Sequence, residues 1–230
     1  MSILISVDGN IGSGKSSLLQ FMKNNVHALC LGEYSNEYEI FFLQEPVSEW
    51  MKIKDESGET ILSLFYNDQK SYAFAFQMMA YISRLNELKN VIKSGKKYII
   101  ISERSVFTDK HVFAQMLYDD NLMKKVEFDI YNNWFDSFVG DVPLQGIVYL
   151  DVNASKCKER ISKRGREGED VDISYLQRCE QYHEQYVSKY SDDQVLRLDS
   201  NTDNETFGHF AKPISEFIYN ILETRSLSKK

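Results

Sequence analysis

The run Gly9-Asn10-Ile11-Gly12-Ser13-Gly14-Lys15-Ser16 has the G-x-x-x-x-G-K-S spacing of a loop that holds phosphate groups. Its glycines let backbone N–H groups turn inward around phosphate oxygens, and a helix start just after it adds partial positive charge. In such a loop Lys15 reaches the phosphate being transferred and Ser16 ligates Mg²⁺. The competing reading is a glycine-rich turn that only caps a helix. The strand-like residues before the motif and the helical pattern after it favour nucleotide binding.

Three further groups carry reactive or charged side chains. Glu45, in Gln44-Glu45-Pro46-Val47-Ser48-Glu49-Trp50, follows a strand-like run, where a carboxylate can take the proton of an attacking hydroxyl. It could equally cap the Pro46 turn or pair with a lysine. Glu103-Arg104-Ser105 also ends a strand and opens a helix. The stretch Lys156 to Arg166 is a dense cationic segment in an otherwise acidic protein, with Arg160 and Arg164 four apart on one helix face and Gly165 placed to end that helix. A solvated basic helix is the plainer reading. The acids Glu167, Glu169, Asp170 and Asp172 follow at once, which argues against a basic patch for nucleic acid.

The elements that must position these groups are legible as a pattern. Strand-like runs lie at 2–7, 40–43, 98–102, 146–150 and 195–198, and helical patterns at 15–26, 72–92, 106–118, 124–138, 154–162, 173–191 and 205–224. Short buried strands alternating with helices predict an α/β fold, with a five-stranded parallel sheet flanked by helices. Ligands in such sheets gather at the carboxyl ends of the strands, where the candidate residues fall.

Bulk properties narrow the class. The chain has 230 residues, 43% hydrophobic and 27% charged, as expected of one globular domain over 1–230. A net charge of −7 does not fit a nucleic-acid binder. Cys30, Cys157 and Cys179 form no CxxC pair, so neither a disulfide framework nor a zinc site is expected. No stretch is apolar enough to span a bilayer, and no targeting presequence precedes the first strand; a cytoplasmic location is expected. The absence of an Asn-Lys-x-Asp string excludes a regulatory GTPase and leaves a small-molecule kinase as the expected class.

The phosphate loop, the Glu45-Pro46-Val47…Trp50 element and the Glu103-Arg104-Ser105 element, in this order and spacing, resemble those of the deoxyribonucleoside kinases. That family includes deoxycytidine, deoxyguanosine, deoxyadenosine and insect multisubstrate kinases, and the resemblance runs from Ser2 to about Leu222. It implies a P-loop kinase fold with a mobile lid over 160–172, and transfer of phosphate from ATP to the 5′-hydroxyl of a deoxyribonucleoside. By resemblance, Glu45 is the general base, Arg104 sits by the 5′-oxygen and phosphates, and Glu103 approaches Mg²⁺ through water. Gln77 would read the base edge, Trp50 and Phe113 would wall the base, and Tyr66 with Glu169 would hold the 3′-hydroxyl. Arg160, Arg164 and Arg166 match the lid arginines that close on the donor phosphates.

Arg84 and Asp109 bear on specificity. Family members that accept deoxycytidine and purine deoxynucleosides carry an arginine and an aspartate here, so these substrates are expected over thymidine. Arg84 follows Gln77 by seven residues, two helical turns, so both are expected to point into one pocket. An ion pair with Asp109 is the alternative. Asn204 departs from the family pattern, which often has an aromatic at the donor base; the next aromatic is Phe207. Family members pair as homodimers, which is the expectation here. Two other readings stay open: a nucleoside monophosphate kinase of the thymidylate kinase type, and a catalytically silent nucleotide-binding subunit.

Overall fold

A computed structural model describes residues 2–29, 31–140, 142, 144–166, 169–202 and 207–227. Five strands, β1 (Ile3–Gly9), β2 (Glu39–Leu43), β3 (Tyr98–Glu103), β4 (Leu144–Asp151) and β5 (Val195–Asp199), form one sheet in the order β2-β3-β1-β4-β5. Every pairing is parallel. The strands are β-branched and apolar because both faces of the sheet are covered. Along β1, Ile3, Ile5 and Val7 enter one core with Ile99 and Ile101 of β3, while Leu4 and Ile100 turn to the opposite face.

The first face is covered by α1 (Lys15–Asn24) and α10 (Gly208–Leu227), whose Leu18, Leu19, Met22, Phe217 and Ile218 fill that core. Helix α10 can lie this close to β4 because Gly146 has no side chain: a Cβ there would stand 2.5 Å from Ile221 Cδ1. Short helices α2 (Val47–Trp50) and α3 (Ile61–Asn67) precede the long α4 (Gln69–Ile92). Helix α5 (Val106–Thr108) runs into a π-helical stretch (Asp109–Ala114) and then α6 (Gln115–Asp119); α7 (Lys125–Phe138) follows. Helices α8 (Ala154–Arg164) and α9 (Ile173–Val187) lie between β4 and β5.

The expected strands and long helices are all present, with ends moved by a few residues. β1 runs on to Gly9, α9 stops at Val187 rather than Ser191, and α8 extends to Arg164, where Gly165 ends it with φ 60°. Helices α2 and α3 were not expected. The segment read as one helix over 106–118 carries a wide turn at its centre. Cys30, Glu167, Asn204 and Glu205 lie outside the described residues. Among the described residues no helix is long and apolar enough to cross a membrane.

Candidate active site

The phosphate loop joins β1, central in the sheet, to α1. At Gly12 the backbone has φ 79°, and a Cβ would stand 2.7 Å from the carbonyl oxygen of Cys157, so only glycine fits under α8. At Gly9 a Cβ would stand as close, 2.7 Å from Leu150 O. Gly14 caps α1, and Ile11 and Gly14 line the cleft. Lys15 Nζ is folded back onto the loop, donating to Asn10 O at 2.7 Å and Gly9 O at 3.1 Å. Burial, and then the charge of Arg104, lowers its pKa to about 8.

Asn10 differs from its loop neighbours. Its amide nitrogen donates to Leu176 O at 2.9 Å and its oxygen accepts from Ile11 N, so the side chain ties the loop to α9 instead of facing the cleft. Arg160 braces the same loop, donating to Ser13 O at 3.2 Å and to Ser200 O at 2.8 Å.

One carboxylate gathers the cations beside the loop. Glu45 Oε1 accepts from Arg104 Nη1 at 2.7 Å and from Arg84 Nη2 at 3.0 Å. Burial alone would raise its pKa, but Arg104, Arg84 and Lys15 outweigh it and hold the group ionised, with a pKa of about 2. Neither the Pro46 turn nor a lysine takes this side chain. Arg104 has a left-handed backbone, φ 60°, fixed by its N–H bonding to Val7 O at 3.0 Å. Its guanidinium lies 4.9 Å above the Phe113 ring, and its Nε and Nη2 have no hydrogen-bond partner among the described residues.

Arg84 does not point into the cleft beside Gln77, contrary to the helical-spacing argument. Its guanidinium is consumed behind the wall, donating through Nε to Asp109 Oδ2 at 2.9 Å and through Nη1 to Glu103 O at 2.6 Å, besides Glu45. The ion pair with Asp109 exists but is buried, with both side chains at most 5% exposed. Burial pushes the Asp109 carboxyl up against the pull of Arg84. Glu45, Asp109 and Arg104 line the cleft, and Arg84 orders them from behind.

The cleft encloses about 910 Å³ and runs from the phosphate loop to an aromatic end. Trp50, Gln77, Tyr66 and Phe113 all line it. The Trp50 indole donates to Ser83 Oγ at 2.9 Å and meets Phe76 edge-on. Gln77 is 2% exposed, not on a solvated face. Sequence reasoning missed Leu62 and Phe65 of α3 and Phe76 and Ala80 of α4, which build the apolar wall. The signal available was Thr60, whose hydroxyl caps α3 by accepting from Ser63 N.

Glu169 lines the cleft with Tyr66, and its nearness adds to burial in pushing the Tyr66 phenol above its ordinary pKa. Its hydrogen bond, however, is with Arg164 Nη2 at 2.5 Å, and Arg166 Nη1 lies 3.6 Å from its other oxygen. Phe207 also lines the cleft, against Gly14.

Ser16 Oγ donates to Glu103 Oε1 at 2.6 Å. A hydroxyl and a carboxylate at the mouth of a phosphate loop are hard oxygen donors of the kind Mg²⁺ takes. Among the described residues no cluster of three or more His, Cys, Asp or Glu could hold a metal by itself. The pair therefore fits a cation that takes its remaining ligands from phosphates and water.

Comparison with known proteins agrees with this geometry. Mouse deoxycytidine kinase is 29% identical over 93% of this chain and 90% of its own length. Deoxycytidine kinase 1 of Xenopus laevis is 31% identical over 80% of this chain and 73% of its own, and the mitochondrial deoxyguanosine kinase of that species is 30% identical over the same shares. The sequence model of the deoxynucleoside kinases matches residues 5–221, and with the all-parallel sheet, the phosphate loop and the cleft at its strand ends the chain belongs to the deoxynucleoside kinase family.

Proposed function

We propose that this protein transfers the terminal phosphate of ATP to the 5′-hydroxyl of a deoxyribonucleoside, with deoxycytidine or a purine deoxynucleoside favoured over thymidine. The observation that carries this reading is Glu45: an ionised carboxylate, held by Arg104 and Arg84, where a phosphate loop meets an aromatic pocket. In the reaction the 5′-oxygen attacks the terminal phosphorus, its proton passes to Glu45, and the bond to the bridging oxygen breaks to release ADP. Arg104 keeps Glu45 oriented, and its two unpartnered N–H positions suit it to the charge that grows on the transferring group. Lys15 leaves its loop carbonyls for the donor phosphates, as Arg160, Arg164 and Arg166 close the segment 160–172 over them.

Ser16 and, through water, Glu103 would hold Mg²⁺, which when bound neutralises donor phosphate charge. Gln77, buried in the lining of the cleft, supports recognition of a nucleobase edge. Trp50 and Phe113 wall the base, Asp109 ordered by Arg84 selects it, and Tyr66 with Glu169 receives the 3′-hydroxyl. The protein acts as a cytoplasmic homodimer, in keeping with free buried thiols at Cys157 and Cys179. Pairing is supported by a stripe of exposed apolar side chains on α4 and α7: Ile82, Val126, Ile130, Trp134 and Phe138.

The test is ADP release from Mg²⁺–ATP with deoxycytidine, deoxyadenosine, deoxyguanosine, thymidine or thymidine monophosphate as acceptor. Turnover on deoxycytidine or a purine deoxynucleoside above thymidine is the expected result. Turnover on the monophosphate alone would replace this reading with a monophosphate kinase, and none on any acceptor would leave a silent nucleotide-binding subunit.

A further inference from the structure

Glu169 shares the cleft with Arg164, Arg166 and Tyr66. Its side chain is 4% exposed, and one carboxylate oxygen is bound by Arg164 at 2.5 Å while the other faces Arg166 at 3.6 Å. The Tyr66 phenol is pushed up by burial and then by the same carboxylate. A carboxylate on a side chain this little exposed is costly to leave without partners. In the absence of substrates those partners are the two arginines.

The arginines cannot serve phosphates without loosening from Glu169. Phosphate oxygens compete for a guanidinium on equal chemical terms with a carboxylate. A donor that draws Arg164 and Arg166 away leaves Glu169 buried and unpaired, and that loss subtracts from donor affinity. A hydroxyl donating to Glu169 replaces part of what the arginines supplied.

We propose that Glu169 is a specificity-determining latch which couples the two substrates: a nucleoside bearing a 3′-hydroxyl frees Arg164 and Arg166 for the donor phosphates, and one lacking it does not. The proposal rests on the kinase reading above and adds to it a thermodynamic link between the sites. Linkage makes the effect mutual, so the donor raises nucleoside affinity by the same factor. Discrimination against a missing 3′-hydroxyl then acts on donor binding as well as on nucleoside binding.

Calorimetry with a non-hydrolysable ATP analogue tests this on the full-length protein. Saturating deoxycytidine is expected to tighten the analogue at least about fivefold, the low end of ordinary coupling between sites. Saturating 2′,3′-dideoxycytidine is expected to change it less than about twofold, the factor expected where coupling is nearly absent. Glu169→Gln is expected to bind the analogue more tightly than wild type without nucleoside, and to respond equally to both nucleosides. Equal tightening of the wild-type protein by the two nucleosides, or an unchanged donor affinity in Glu169→Gln, overturns the latch alone. A wild-type protein that binds neither ligand overturns the latch together with the reading it rests on.

Discussion

The hydroxyl of Thr108 donates to Asp8 Oδ1 at 2.6 Å, joining the helix that follows Arg104 to the strand that enters the phosphate loop. Both side chains are wholly buried, and Thr108 also accepts from Ser105 N at 3.2 Å, closing the cap of α5. Burial pushes the Asp8 carboxyl up, while Thr108 and Ser6 pull it back. Thr108→Val removes the donor but keeps the shape. Denaturant unfolding should show a loss of about 1–3 kcal/mol, the cost of a buried polar group left unpaired. Unchanged stability would mean that Asp8 finds another partner.

Glu45→Gln keeps the size of the side chain and discards its charge. Turnover should fall at least about 100-fold while nucleoside affinity stays within a few-fold of wild type, as loss of a general base requires. Steady-state kinetics with direct nucleoside binding separates the two quantities. Near-normal turnover would remove Glu45 from the chemistry.

Arg84→Met combined with Asp109→Ala removes a buried ion pair as a unit, which costs less than breaking it from one side. The ratio of kcat/KM for thymidine to that for deoxycytidine should rise. Because Arg84 also holds Glu45, the single variant Arg84→Met should change turnover on every nucleoside, not the ratio alone. An unchanged ratio in the double variant would place Asp109 outside base selection.

His183 provides a pH test. It is wholly buried, with Nδ1–H donating to Cys179 O at 2.7 Å and Nε2 unpartnered among the described residues. Burial, then the charge of Arg104, lowers its pKa from 6.5 to about 3. The unfolded chain takes up this proton below pH 6.5 and the folded protein does not, so the contribution is intact above 6.5 and is lost as the pH falls toward 3. Between pH 6.5 and 5.0 that loss is about 2 kcal/mol, from 1.36 kcal/mol per pH unit. His183→Asn keeps a donor toward Cys179 O and should abolish this part of the slope in urea unfolding. Equal slopes would show the imidazole protonated in place. His111, lowered to about 4 by burial, retains its own share in both proteins.

Local chemistry was the most legible part of the sequence. The loop at 9–16, the strands and the Gly165 helix end are each written in a few adjacent residues. Glu45 and Arg104 could be nominated because each follows a strand, and β2 and β3 are neighbours in the sheet. What remained hidden depends on contacts across the fold. Asn10 turns to Leu176, 166 residues away, and nothing in the loop's own spacing records that. Arg84 lies on the face its spacing from Gln77 requires, yet three acceptors from other elements draw its guanidinium behind the pocket wall. Helix α3 is seven residues long, too short for a periodic pattern to announce itself.

The wide helical turn at Asp109–Ala114 bears on how this segment can change over generations. A π-helical stretch accommodates a residue that the regular path would not. Deleting one residue within it would restore the regular path and leave the turns on either side close to their present orientation, because the widened turn is what absorbs the additional residue. Asp109 and Phe113, which line the cleft from inside this turn, would shift against each other, while Met116 and Leu117 just past it would keep the face they bury. The segment can therefore lose this one residue without turning the helix that follows, and its descendants should vary here in count as well as in letters.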